Sequence, residues 1–463
     1  MELNGEKNGV QQNGHAKKNG LSMEPCRVER DYDVIVVGAG ITGLWTAHQL
    51  ANKGFHVLIT EQYPRCHSRG GSAGSSRAVE LSFPNVDGIP MVMDAIRMYE
   101  QLQESTHVDL IRSTKLLVMT EQPWNNTPLP GLLKALNETY GLGVQKLDYE
   151  QMKAKFPGMS FTNPDTCAIL DDKSAKEMIA SSVIFALWKS LEQNPKVDVI
   201  DRCPVTKIIS VPSTEDSCEE KRSSGGSYVL VECRDEARST FSASAVVLAT
   251  GGWTPEISIL KRSEGRKSEV SVEMPKVEPR LLAQMYFKKK PGGPPIPDGT
   301  GFIEWTWGSD IPMRGWGRPS TNTHPDFDYM AGIGEYLSPQ SVSNIECMDK
   351  FEELIAKARD YVRMRLPFLD DTPHLIEKAM DYLTVSDEKS GRRLAGAQNI
   401  YLAIEGTSFS MAPVYAKLLS ELLEKHMGNP LDDQLVKKMA SLSHNGDVTE
   451  STGRTGFSSK FHW

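Results

Sequence analysis

The run Gly38-Ala39-Gly40-Ile41-Thr42-Gly43 stands directly behind the apolar stretch Val34-Ile35-Val36-Val37, and no other segment constrains the fold as tightly. A short buried strand enters a tight glycine turn and a helix opens at once. That geometry gathers unpaired backbone N–H groups and the positive end of a helix dipole at one point, which suits a pyrophosphate. Gly38 permits the turn, Gly40 leaves room for phosphate, Ile41 and Thr42 open the helix, and Gly43 lets it press on the strand. The next apolar run, Phe55 to Ile59, closes on Glu61 and Gln62, where Glu61 is placed to accept hydrogen bonds from a ribose 2′-OH. A bare G-x-G-x-x-G also fits a tight strand–helix turn with no ligand. Strand, helix, second strand and terminal acid in this order favour dinucleotide binding.

With 463 residues the chain is long for one domain and comfortable for two. A net charge of −8 and the lack of a dense basic run argue against a nucleic-acid partner. The seven scattered cysteines form no C-x-x-C, which points to free thiols in a reducing compartment rather than a disulfide framework or zinc site. The dispersed histidines lack metal-ligand spacing. No apolar stretch approaches the ~20 residues of a membrane-spanning helix, so no membrane partner is expected. Residues 1–28 read as a disordered leader and 431–463 as a loose polar tail.

Two further segments repeat the strand-then-small-turn arrangement. Ala245 to Leu248 runs into Ala249-Thr250-Gly251-Gly252-Trp253. Asn399 to Ala403 runs into Glu405-Gly406-Thr407, followed by a helix from Ala412 to about His426 with Leu418, Leu419, Leu422 and Leu423 on its apolar side. Convergence of all three on one cofactor predicts an α/β (α+β) two-domain chain. Its Rossmann-like dinucleotide domain takes residues 29–110, 166–262 and 375–430, and a mixed-sheet substrate domain takes 111–165 and 263–374.

The order D-Y-D-V-I-V-V-G-A-G-I-T-G-L, E-Q, G-S-A-G-S-S-R, V-V-L-A-T-G-G-W and F-S-M-A-P-V resembles the FAD-dependent amine oxidases, of the sarcosine, N-methyltryptophan and pipecolate oxidase kind, over about residues 30–430. The resemblance implies a glutathione-reductase-like flavoprotein whose mixed sheet roofs the isoalloxazine ring. Such enzymes take a hydride equivalent from a C–H beside a secondary amine nitrogen, and O₂ then reoxidises the flavin to give H₂O₂. By resemblance, Gly38, Gly40, Gly43 and Glu61 carry the FAD fingerprint, and Ser75, Ser76 and Arg77 lie on the loop crossing near the pyrophosphate and flavin. Arg77 there holds a phosphate or shields the flavin. Val205 backs the adenine, and Thr250, Gly251 and Trp253 form the small turn near the cofactor. Ser408, Phe409, Ser410 and Met411 start the last helix, whose N–H groups face the flavin carbonyl.

Three departures from the resembled pattern matter. The arginine and lysine that grip a substrate carboxylate fall on Glu80 and Ser410, which predicts a substrate without that acid. The cysteine of the covalent flavin link is missing from Met380 to Asp387, which predicts non-covalent FAD. The lysine that helps O₂ accept electrons falls on Leu281 or Leu282, which weakens the expectation of an oxidase.

The substrate domain offers Glu304-Trp305-Thr306-Trp307, Arg314-Gly315-Trp316-Gly317 and His324 to Tyr329. Aromatic faces such as Trp316 attract ammonium groups, and Glu80 or Glu304 adds a full charge. His324 and Tyr329 are the titratable candidates, a neutral histidine being able to accept the amine proton. The tryptophans equally suit a half-buried strand, and His324 a surface loop. The reading is an FAD-dependent oxidoreductase acting on a C–N bond of a small amine, with O₂ as acceptor, as a monomer or weak homodimer. A cytosolic location is expected, because Phe461-His462-Trp463 does not match a Ser-Lys-Leu-type peroxisomal address. The alternatives are a flavin dehydrogenase or alkaloid-type amine-oxidising enzyme that uses O₂ poorly, and a non-catalytic flavin-binding protein.

Overall fold

Val28–Val37 is the central strand of a ten-stranded sheet because its apolar residues feed both faces: Val34 and Val36 enter one core cluster, Ile35 and Val37 another. A strand buried on both sides reads as a continuous apolar run, which is why alternation is lost here. It pairs in parallel with Val57–Thr60 on one side and Thr240–Leu248 on the other. Thr240–Leu248 in turn pairs in parallel with Ala397–Leu402. The computed structural model describes residues 28–79, 86–212, 227–234, 239–263, 268–292, 299–309, 313–320, 326–338, 342, 350–384, 393–394, 397–403 and 409–428.

The three segments singled out in the sequence end level with one another. Val37 is in register with Leu248, and Leu248 with Leu402. Helices Ile41–Asn52, Ile89–Thr106, Ala180–Glu192 and Ala412–Gly428 cover one face, with Leu418, Leu419, Leu422 and Leu423 of the last all buried. No helix among the described residues is long and apolar enough to cross a membrane.

The second sheet has eight strands. Its order is Leu375–Thr384, Val277–Phe287, Tyr329–Ile333, Met313–Pro319, Thr300–Trp305, Lys115–Thr120, Cys167–Asp171 and Gln145–Leu147. One face carries Tyr286, Ile303, Trp305, Trp316 and Met330 and shares a core with the first sheet's helices. The opposite face carries Leu281, Met285, Phe302 and Tyr329 and packs on the helix Phe351–Arg365. We call this the roof sheet. A small third sheet, Ser76–Val79, Lys176–Ile179 and Ile111–Ser113, lies between the two.

The pairing moves three segments relative to the boundaries drawn from sequence. Cys167–Asp171 and Leu375–Thr384 belong to the roof sheet, and Glu269–Ser271 to the first sheet. Strand pairing decides membership, and it joins segments far apart in the chain. The leader and tail expected at 1–28 and 431–463 lie outside the described residues, apart from Val28.

Candidate active site

The glycine turn is built as the sequence requires. Gly38 has φ +100°, and a β-carbon on it would strike the Ala249 carbonyl. A β-carbon on Gly43 would strike the carbonyl oxygen of Gly38. A β-carbon on Gly40 meets only Ser72 Oγ, at 3.1 Å, so this glycine faces the loop and not the strand. Ser72 Oγ also accepts from the Ile41 N–H at 2.9 Å, which satisfies one donor of the helix's first turn, the turn whose N–H groups suit a phosphate. Glu61 is buried and fixed at the turn, accepting from the Ala39 N–H at 2.8 Å and the Tyr63 N–H at 3.0 Å. His67 Nε2 also lies 3.5 Å from Oε1, and a carboxylate has about four lone-pair positions, so capacity remains on Oε2 for a ribose hydroxyl. Cys203 N–H donates to the Glu61 carbonyl at 2.8 Å, which brings Val205 to the same corner. These residues fit FAD: two glycines that exclude side chains, a helix start bare of acids and a fixed ribose acceptor.

Loop 70–77 then runs along the roof sheet. Gly71 lies against Asp381, Gly74 against Gln284, and Ser75 Oγ is 2.9 Å from Tyr286 Oη. Arg77 donates to the Ser76 and Gly71 carbonyls at 2.8 Å and also to that of Ala73, and its guanidinium lies 5.6 Å from the Phe409 ring centre. Burial, and next the Arg318 guanidinium, pull Arg77 down to about 10. Phe409 is fixed in turn, its carbonyl accepting from Tyr99 Oη at 2.6 Å. Ser410 and Met411 follow it in the turn Phe409–Met411, both half-buried. Gly251 has φ +52° and faces Tyr382, and Trp253 packs on Met380 and Val342. Thr250 Oγ1 lies 2.8 Å from Thr254 Oγ1. Met380–Thr384, with no cysteine, therefore lies against the Gly251–Trp253 turn. Ile41, Thr42 and Gln62 sit at the helix start and just past Glu61, and Ser76 opens the small sheet's first strand.

The substrate side corrects several expectations. Tyr329 is on the roof's far face, wholly buried, with its hydroxyl donating to the Thr300 carbonyl at 3.3 Å and its ring edge-on to Phe368. It is core, enclosed between the roof sheet and the helix Phe351–Arg365, and cannot titrate against a substrate. Glu304 is 1% exposed and belongs to a buried ion network: Arg365 donates to both its oxygens, Arg314 to Oε1 and Tyr361 to Oε2. Its charge is spent there, so it adds none to an amine pocket. Trp305 and Trp307 stack at 6.3 Å within the core. Leu281 points to the far face, because strand alternation puts 281, 283 and 285 together. Trp316 lies on the opposite roof face from Tyr329, the one that shares a core with the first sheet's helices, with Arg318 5.1 Å over its ring. Glu80, His324 and Ser408 lie outside the described residues.

Four residues escaped the sequence reading: Arg318, Gln284, Tyr286 and Glu377. Arg318 Nη1 donates to Ser76 Oγ at 3.5 Å, so a cation does stand beside the Arg77 loop. Ordinary strand alternation could have grouped Gln284 with Tyr286, but not chosen their face. Among the described residues no group of acids, histidines and cysteines is arranged to hold a metal.

A family described as "FAD dependent oxidoreductase" matches residues 33–422. The chain is 25% identical over 407 residues to the peroxisomal sarcosine oxidase of Mus musculus, covering 85% of this chain and 92% of that one. It is 24% identical over 228 residues to an N-methyl-L-tryptophan oxidase of Yersinia pestis, covering 49% of this chain and 55% of the other. Among solved structures, NikD, "an unusual amino acid oxidase essential for nikkomycin biosynthesis", superposes with a TM-score of 0.68 at 17% identity, over 88% of this chain and 97% of NikD. With the glycine cradle and the roof sheet in place, a match across nearly the whole described chain has one meaning: this protein belongs to the FAD-dependent oxidoreductase family.

Proposed function

We propose that the protein oxidises a carbon–nitrogen bond of a small amine, releasing an imine, with O₂ as the acceptor and H₂O₂ as its product. The observation that carries this reading is the Ser75–Tyr286 bond, which closes the roof sheet onto loop 70–77, with Arg318, Gln284 and Glu377 on the roof face that carries Tyr286 and Met330. Relatives named as sarcosine and N-methyl-L-tryptophan oxidases support the choice of amine. Bound FAD supplies the redox chemistry, accepting a hydride equivalent and passing two electrons on. The chain holds FAD through the glycine turn, Glu61 and the Phe409–Met411 turn without a covalent bond, and Arg77 offsets negative charge near it.

Glu80 and Ser410 stand where the resembled enzymes hold an acid, which supports a substrate lacking a carboxylate. A second reading, an acid-bearing amine, is favoured by Arg318, the cation that the sequence argument took to be missing. A cytosolic monomer or weak dimer accords with both. The test is anaerobic mixing of the yellow holoenzyme with primary, secondary and N-methyl amines, with and without a carboxylate. Bleaching of the flavin band followed by rapid recovery in air with peroxide release is expected. Bleaching with slow recovery and fast dye reduction makes the protein a dehydrogenase, and no bleaching by any amine refutes the proposal.

A further inference from the structure

Gln284 and Glu377 are direct cross-strand partners, Glu377 on the edge strand of the roof sheet and Gln284 on the strand next to it. Their strands alternate, so both side chains share the face of Tyr286 and Leu375, which is the cofactor side. Three observations make this pair more than packing. Gln284 is 8% exposed and its Oε1 has no hydrogen-bond partner, a costly state for an interior acceptor. The residue facing it is Gly74 at φ +105°, and a β-carbon there would come within 2.5 Å of that oxygen, so only glycine fits against it. Glu377 is half-buried, and its carboxylate is aimed by a chain: Ser75 Oγ is 2.9 Å from Tyr286 Oη, which donates to Glu377 Oε2 at 2.7 Å.

We propose that Glu377 and Gln284 together receive the substrate's nitrogen, the two N–H groups of a secondary ammonium donating to the Glu377 carboxylate and to Gln284 Oε1. Glu377 then takes one proton. The N–H bond breaks with its electron pair left on nitrogen, an O–H bond forms on Glu377, and the amine becomes the neutral species that can give up its C–H. Glu377 returns the proton to water. Tyr286 and Ser75 are positioning residues. Burial first, and the bond to Glu377 as well, raise the Tyr286 phenol, so it stays a donor. The charged groups around the pair are Arg77 on the facing loop, Arg318 on the Met313–Pro319 strand, Asp381 and Arg280 further along the same two strands, and His374 ahead of Glu377.

This assignment rests on the amine-oxidation reading. Its probes are piperidine and piperidine-2-carboxylate, one ring amine without and one with an acid. Binding to the oxidised holoenzyme is read from the flavin difference spectrum before reduction, and reduction is then followed anaerobically against pH. Glu377→Gln and Gln284→Leu are each expected to weaken ammonium binding by about tenfold or more, the size of a lost hydrogen bond to a charged group. Glu377→Gln also moves the pH dependence of reduction up toward the free amine's own pKa, and Tyr286→Phe moves it less. Gln284→Glu, which adds a second carboxylate, tightens ammonium binding and guards against a merely misfolded loss. FAD content reports folding in every variant. Wild-type affinity and pH profile in FAD-loaded Glu377→Gln, with either amine still oxidised, overturn this assignment and leave amine oxidation standing. If neither probe nor any other amine perturbs or bleaches the wild-type flavin, the amine reading fails and takes this assignment with it.

Discussion

The carbonyl oxygen of Gly38 occupies the space that a β-carbon on Gly43 needs. The first turn of the helix is thereby locked onto the end of the strand, and the N–H groups of that turn take their direction from that contact. Gly43→Ala forces the helix off the strand, and we expect a loss of about 3 kcal/mol of stability together with FAD binding. Gly40→Ala meets only a hydroxyl. It is expected to keep its melting temperature while FAD affinity falls by about tenfold or more as the close phosphate approach is blocked. Denaturant unfolding and FAD titration of the two apoproteins separate these outcomes. Equal stability losses would show that both glycines serve packing alone.

Arg318 tests the handle of the substrate. Arg318→Met keeps the stem over Trp316 and removes the guanidinium beside Ser76. An acid-bearing substrate predicts binding weaker by about 10–100-fold for carboxylated amines and no change for uncharged-handle amines. Unchanged binding of both classes would return the site to the acid-free reading.

The ion network around Glu304 predicts stability rather than catalysis. Arg365 and Glu304 are each 1% exposed, and Arg365 also bridges to Glu121 at 2.8 Å. Arg365→Leu leaves a buried carboxylate without its main partner and is expected to cost about 3–5 kcal/mol in denaturant unfolding, with no change in the flavin spectrum. A cost under about 1 kcal/mol would mean that Arg314 and Tyr361 suffice to hold the charge.

Asp381 gives a pH dependence. It is half-buried, and burial raises it above its ordinary range against the opposing pull of the Tyr382 backbone hydrogen bond, Arg77 and Arg280. The folded chain therefore keeps a proton that the unfolded chain has released, and stability declines as pH rises from the ordinary carboxylate range through the raised value. Asp381→Asn removes that slope. The variant is expected to gain on the wild type across this window, hold a constant advantage above it and show none below it. Parallel stability curves at all pH values, read by denaturant unfolding, would refute the shift.

The parts of the site legible in the sequence are those built from neighbours in the chain. Gly38 to Gly43, Glu61, and the strand ends at Leu248 and Leu402 are local patterns, in which glycine spacing and apolar runs specify a turn and a level row of strand ends. The alternating residues of the roof strands were not readable in the same way. A strand shows which residues share a face, but only its neighbours in the sheet decide whether that face meets the cofactor or the helix behind it. Tyr329 and Met330 are adjacent, and pairing alone sent the first into the far core and the second into the core shared with the first sheet's helices.

By itself, then, the chain determined that a dinucleotide would be held and marked the glycine turn that suits it, because that grip needs a few small residues in short succession. The tertiary structure alone decided which side chains share the roof-sheet face beside loop 70–77. It spent Glu304 on Arg365 and brought Arg318 beside Ser76, and it set Gln284 against Glu377. Those partners lie tens to hundreds of residues apart, and a charge acquires its role only when burial fixes which other charge it faces.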